Sequence, residues 1–179
     1  TLFRSTQVIK NACSANYLNM MKQMAVAQEN WSFLYPYNPT NPVPLEDKFP
    51  KLRIINNDIV QENSVLAGIA LGLLIQIYDA GGKDYFLPEC SACGISIKDK
   101  HRPDNFHTDH AEGSDRIKII GTLNSDWQPS DGGGFVHGGV TYQLAPTDFL
   151  VFDSSIIHAA EDITSDKKRL AIDFTVKKK

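Results

Sequence analysis

The order of apolar and polar positions changes character once along the 179 residues. Over residues 11–30, Tyr17, Met20, Met21, Met24 and Ala27 recur at helical spacing, and the pattern ends near Trp31. A second helix is expected around the uncharged stretch from Ser64 to Tyr78. There Ile59, Leu66, Ile69, Leu73, Leu74 and Ile77 repeat every three or four residues, and Asp58 with Gln61 has the form of a capping box. From Ala92 onward the period falls to two. Short strands are expected at 92–98, 106–110, 116–123, 134–137, 141–144, 148–153, 156–160 and 169–176, separated by turn residues. Helices first and antiparallel strands afterwards predict an α+β chain: a double-stranded β-helix (jelly roll) with the N-terminal helices packed on one sheet.

Composition adds limits. A chain that is 42% hydrophobic can close one core, so a single domain is expected over 1–179. Residues 1–90 would be mainly helical support with a covering loop, and 91–179 the jelly-roll core. The loop is the stretch Pro36 to Pro50, with five prolines. The apolar run at Ser64–Tyr78 has 15 residues and two glycines, against roughly 20 needed to cross a bilayer, so no membrane span is expected. A net charge of −3 offers no basic patch for nucleic acid. Three cysteines suit a reducing, cytoplasmic setting. Cys90 and Cys93 form a CxxC with no second pair, and read as two small residues near a strand start rather than a zinc site. Gly132-Gly133-Gly134 after Asp131 reads as a turn, without the lysine and hydroxyl of a phosphate loop. Nothing at the start of the chain resembles a leader, and one removed upstream of Thr1 stays open.

The chemistry concentrates in His107-Thr108-Asp109, His158 and Arg169. Two histidines and one carboxylate hold a redox-active Fe(II) while leaving coordination positions open. On a strand, positions i and i+2 share a face, so His107 and Asp109 can grip one ion while His158 comes from another strand. The plainer reading is a surface histidine beside an aspartate. His101, His110 and His137 stand in polar loop or turn contexts and are expected to be exposed; His110, at i+3, points away from the shared face. In the last strand Leu170, Ile172, Phe174 and Val176 take one face, and Arg169, Ala171, Asp173 and Thr175 the other. An arginine facing a barrel interior needs an anion, and its planar fork matches a carboxylate. Trp127 and Phe135 read as core or rim packing.

These features in this order resemble the Fe(II)- and 2-oxoglutarate-dependent dioxygenases, in particular the prolyl-4-hydroxylase-like branch with the oxygen-sensing prolyl hydroxylases. The resembling residues are Phe106-His107-Thr108-Asp109, Gly121-Thr122-Leu123-Asn124-Ser125-Asp126-Trp127, Asp131-Gly132-Gly133, Asp148-Phe149-Leu150-Val151-Phe152, His158 and Arg169, over roughly half the chain. The resemblance implies His107, Asp109 and His158 as iron ligands and catalytic residues, and Arg169 as the partner of the distal 2-oxoglutarate carboxylate. It implies Fe(II), 2-oxoglutarate and O2 as cofactor and co-substrates, with ascorbate as an optional reductant. The expected reaction couples decarboxylation of 2-oxoglutarate to succinate with hydroxylation of a C–H bond, most readily on a prolyl residue of a peptide or protein.

Two departures stand out. Where the oxygen-sensing relatives carry a tyrosine before Leu-Asn-x-Asp-Trp, this chain has Thr122, which reaches less far toward the same carboxylate. Collagen-type relatives use a lysine in place of the arginine, and Lys167 and Lys168 adjoin it, but strand phase favours Arg169. Asp173, facing the barrel, could repel 2-oxoglutarate or contact a cationic group. A free amino acid or other small molecule is the alternative substrate. Nucleobase demethylation is disfavoured because position 175 is threonine, where those relatives carry a second arginine. A catalytically inactive jelly-roll binding module is the alternative of another class.

Overall fold

A computed structural model describes residues 6–34, 49–61, 64–101 and 104–179. Most of the expected proline-rich covering loop, 35–48, lies outside the described residues. Helix α1 (Ala15–Val26) begins at Ser14, whose hydroxyl accepts the Tyr17 amide, and buries Leu18, Met21 and Ala25. That face is rotated from the expected one: Met20 is 41% exposed. Tyr17 turns its hydroxyl to the Ile69 carbonyl at 2.7 Å, a contact open because Gly72 has no side chain in the way. Helix α2 (Ser64–Ala80) buries Leu66, Ala67, Ala70, Leu73, Leu74 and Ile77. It packs against strands β3 (Phe49–Asn56) and β5 (Phe86–Lys98), with α1 against it.

The remaining strands are β1 (Gln7–Ile9), β2 (Ser32–Leu34), β4 (Ile59–Val60), β6 (Arg116–Thr122), β7 (Phe135–His137), β8 (Val140–Tyr142), β9 (Phe149–Phe152), β10 (His158–Ala160) and β11 (Arg169–Lys178). Seven of the eleven strands form a sheet in the order β1-β9-β6-β11-β5-β3-β2, with β4 paired to β3 and every pairing antiparallel. A smaller antiparallel sheet runs β10-β7-β8. Among the described residues no helix is long and apolar enough to cross a membrane.

Three expectations are corrected. Residues 7–9, 32–34, 49–56 and 59–60 are strands, so the first ninety residues supply sheet edges as well as helices. Asp58 and Gln61 do not cap α2. Asn57 and Asp58 both adopt positive φ (50° and 63°), which makes the tight turn between β3 and β4. The apolar spacing that includes Ile59 mixed a hairpin with a helix. The stretch 106–110 is not a strand; it joins β10 only through an isolated bridge at His107.

Strand β11 is central, hydrogen-bonded to both β5 and β6. Its Leu170, Ile172, Phe174 and Val176 enter the same buried cluster as Leu66, Leu73 and Ile77 of α2. On the opposite side a second, smaller cluster of Phe135, Leu150 and Phe152 packs with Ile120 and Leu144 between the two sheets. The gap that this smaller cluster leaves unfilled is where the polar residues gather.

Candidate metal centre and its cavity

His107 and His158 are locked together by backbone before any ligand arrives. Each amide donates to the other's carbonyl, at 3.0 and 2.9 Å, and the two rings lie 4.6 Å apart by centroid. Asp109 is tethered separately, its amide donating to Ser154 O at 2.9 Å. The expected strand geometry for His107 and Asp109 is therefore replaced by an isolated bridge from His107 to β10 and a loop contact from Asp109 to Ser154, with the same effect. One ligand atom from each of His107, Asp109 and His158 lies within 4.8 Å of the other two. Asp109 Oδ1 is 3.8 Å from His107 Nε2, and its Oδ2 is 3.4 Å from His158 Nε2.

The rings are oriented for ligation. His107 Nδ1 lies 2.7 Å from Asn105 O, and His158 Nδ1 lies 2.7 Å from Ile156 O. A carbonyl only accepts, so each Nδ1 donates its proton there, leaving Nε2, on the side of Asp109, as the atom that can turn to a metal. His158 is 2% exposed and wedged against Phe135 and Phe152, whereas His107 opens toward solvent. Burial by itself would raise the Asp109 carboxyl. The hydrogen bond with His158 and the charge of Lys118 outweigh it and hold the group well below the usual carboxylate range. Two imidazole Nε2 atoms and an ionised carboxylate, all within reach of one point, suit a divalent transition metal.

The other histidines separate from this group. His110 bonds Ser154 Oγ through Nδ1 at 2.7 Å, and His101 is exposed. His137 corrects the expectation of exposure: it is 5% exposed on β7, with Nδ1 at Thr6 Oγ1 and Nε2 at Asp153 O. Both its nitrogens are engaged. Cys90 and Cys93 join no metal-binding group among the described residues, and burial pushes the Cys90 thiol up to about 12.

A cavity of about 200 Å³ opens beside the three side chains, between the large sheet and the small one. Arg169, Thr122, Trp127 and Phe135 line it, as do Lys51, Lys98, Lys118, Asp104 and Asp173. Arg169 donates through Nη1 to Gly133 O, while its buried Nε has no protein partner. Gly133 carries positive φ (68°), and a Cβ there would stand 2.6 Å from Nη1. Lys167 turns away to Asp131 Oδ2 at 2.9 Å, and Lys168 is exposed. Thr122 is 6% exposed, but its hydroxyl is shared among Asn124 and Leu170 O at 3.2–3.4 Å.

The segment Leu-Asn-x-Asp-Trp proves to be scaffold for Arg169. Asn124 donates to Lys168 O at 3.0 Å and accepts from Leu170 N at 2.8 Å, gripping the backbone on both sides of the arginine. Trp127 Nε1 donates to Gly132 O at 3.2 Å, and Asp131 takes the Gln128 amide at 2.8 Å. No family model and no curated protein matches the sequence. Known structures do match the backbone. A Pseudomonas putida prolyl-4-hydroxylase shares 16% identity at TM-score 0.62, over 98% of this chain and 92% of that one. An oxidoreductase of the 2OG-Fe(II) oxygenase family from Burkholderia pseudomallei shares 15% at TM-score 0.68, over 96% and 84%. Its fold is that of the 2OG-Fe(II) oxygenases. A Trichoplax adhaerens prolyl hydroxylase, solved with a peptide fragment of the hypoxia inducible factor oxygen degradation domain, shares 15% at TM-score 0.67, over 98% and 84%.

Four residues in this cavity escaped the sequence reading. Lys98 and Asp104 pair at 3.0 Å, and Asp104 also accepts the Ala160 amide at 3.0 Å, tying the run toward His107 to β10. Lys118 and Lys51 each hold Asp173 at 3.1 Å. The dilemma of Asp173 is thereby resolved within the protein. Burial would raise its carboxyl, but Lys118 and Lys51 hold it down to about 2. Lys118 could have been flagged from the alternation Lys118, Ile120, Thr122 on one face of β6. Lys51 carried no such signal beside the proline-rich stretch.

Proposed function

We propose that this chain is an Fe(II)- and 2-oxoglutarate-dependent hydroxylase, its two sheets forming a double-stranded β-helix, acting on prolyl residues of a peptide or protein. The observation that carries the reading is the meeting of His107, Asp109 and His158 with Arg169 in one cavity between two sheets. His107 and His158 would ligate through Nε2 and Asp109 through a carboxylate oxygen, because the Nδ1 protons are already committed to carbonyls. Fe(II) with 2-oxoglutarate and O2 supplies the oxidising power for C–H hydroxylation, giving succinate and CO2.

Arg169 fits the distal carboxylate of 2-oxoglutarate. A guanidinium buried with an unpartnered Nε is costly by itself and gains most from a bound anion. Thr122 stands beside it as a minor contributor, since its hydroxyl already serves Asn124 and Leu170. Phe135, Phe152 and Trp127 give the cavity dry walls, and the open side of His107 leaves a path for substrate. Three unpaired thiols, Cys13, Cys90 and Cys93, support a reducing compartment such as the cytoplasm. A carboxylate-bearing small molecule is the second substrate reading, favoured by four cationic side chains facing three carboxylates in the cavity.

The test is anaerobic addition of Fe(II) and then 2-oxoglutarate to metal-free protein, with Asp109→Ala alongside. We expect a weak visible charge-transfer band in wild type only. Absence of metal or 2-oxoglutarate binding in wild type would move an inactive binding module to the front.

A further inference from the structure

The end of the cavity away from Arg169 carries a charged assembly to which the prolyl hydroxylase reading gives no role. Asp173 lies four residues beyond Arg169 on the same face of β11, about 13 Å along the strand. It is gripped from two sides, by Lys51 Nζ on Oδ2 and Lys118 Nζ on Oδ1, both at 3.1 Å. Lys118 Nζ also stands 3.5 Å from Asp109 Oδ2. All three members line the cavity, with side-chain exposures of 23% for Lys51, 16% for Lys118 and 19% for Asp173.

One lysine would have neutralised Asp173. The second is matched only because Lys118 is shared with Asp109, a carboxylate that a bound metal would also claim. Donor counting leads to the same place. Two ammonium groups offer six N–H donors. Lys118 directs one to Asp173 and one to Asp109, and Lys51 directs one to Asp173. Half of the donors therefore have no acceptor among the described residues. The backbone makes room for this arrangement, because a Cβ at Gly94 would stand 2.7 Å from Lys51 Cε.

We propose that Lys51 and Lys118, bridged by Asp173, form a second anion-binding pole of the cavity that takes a carboxylate beside Asp109. Two sources carry that chemistry: the 1-carboxylate of 2-oxoglutarate, or a carboxylate of the substrate. The choice between them rests on the hydroxylase reading; the pole itself does not. A substrate source would make the enzyme select acidic molecules over neutral peptides.

Benzoate, with benzamide as its neutral counterpart, is titrated into metal-free wild type, Lys51→Met and Gly94→Ala. Thermal melts first establish that each variant folds. We expect benzoate to bind wild type better than benzamide, and each variant to weaken it at least tenfold with benzamide unchanged. Gly94→Ala displaces the lysine without removing it, so it decides the matter if Lys51→Met does not fold. Benzoate that binds no better than benzamide, or equally to all three proteins, overturns the pole. The sources are separated by titrating 2-oxoglutarate into the Ni(II)-loaded proteins. A Kd raised tenfold in Lys51→Met assigns the pole to the co-substrate. A Kd within twofold of wild type, with benzoate still binding the loaded wild type, assigns it to the substrate. If loaded wild type takes no 2-oxoglutarate, the hydroxylase reading fails while the benzoate comparison still decides the pole.

Discussion

Strand β11 presents two faces that do different work. Toward the helices, Leu170, Ile172, Phe174 and Val176 are each 5% exposed or less and join the main core. Toward the small sheet, Arg169 and Asp173 line the cavity, with Ala171 between them. The apolar face is tolerant in kind, since any well-packed hydrophobic side chain of the right volume will serve. The charged face is not, because each buried charge needs a specific partner. Stability and chemistry are thus separated by one peptide unit, and a slip of one residue in register would exchange them.

Substitutions on the two faces should separate accordingly. The largest effect is expected beyond the strand's charged face, at the metal centre: Asp109→Ala should abolish saturable Ni(II) binding while the thermal melt stays cooperative. Normal Ni(II) binding by that variant would remove Asp109 from the ligand set. Ile172→Ala, on the apolar face, should cost about 2–5 kcal/mol in chemical denaturation and leave 2-oxoglutarate affinity of the folded protein intact. Arg169→Met should do the reverse, raising the Kd for 2-oxoglutarate about 10–100-fold through loss of a charged hydrogen-bonding partner. An unchanged Kd would turn attention back to Lys167.

The smallest effect is a pH dependence. Asp173 titrates at about 2 in the folded chain against an ordinary 3.8, so its pairing contributes fully above that ordinary value. The contribution is lost as pH falls from about 4 toward 2. The difference in melting temperature between wild type and Asp173→Asn should therefore narrow over that interval. A difference independent of pH would show that the carboxylate charge is not what the two lysines hold.

Much of this was legible in the chain, and the failures have a common cause. The alternation in Arg169–Val176 placed the arginine in the cavity because period two is a local property of any strand. The triplet His107, Asp109 and His158 was legible as chemistry, yet the strand assumed around it is a bridge flanked by irregular backbone. His137 looked like a polar-loop residue because glycines follow it, while its burial comes from distant partners, Thr6 and Asp153. Asp58 looked like a helix cap because the hairpin and helix signals share residue types.

By itself the sequence determined which residues could ligate, which strands alternate and which helix is apolar enough to be buried. These follow from side-chain chemistry and from periodicities fixed by backbone geometry. Only the tertiary structure decided that Lys51, Lys98 and Lys118 share one cavity with Arg169, and that Asp173 has two partners rather than none. Lys51 and Asp173 are 122 positions apart, and Lys118 and Asp173 are 55 apart. No local pattern encodes such distances. The pairing is set by the order β6-β11-β5-β3 in the large sheet, and that order depends on burying the face of each strand that carries no charge.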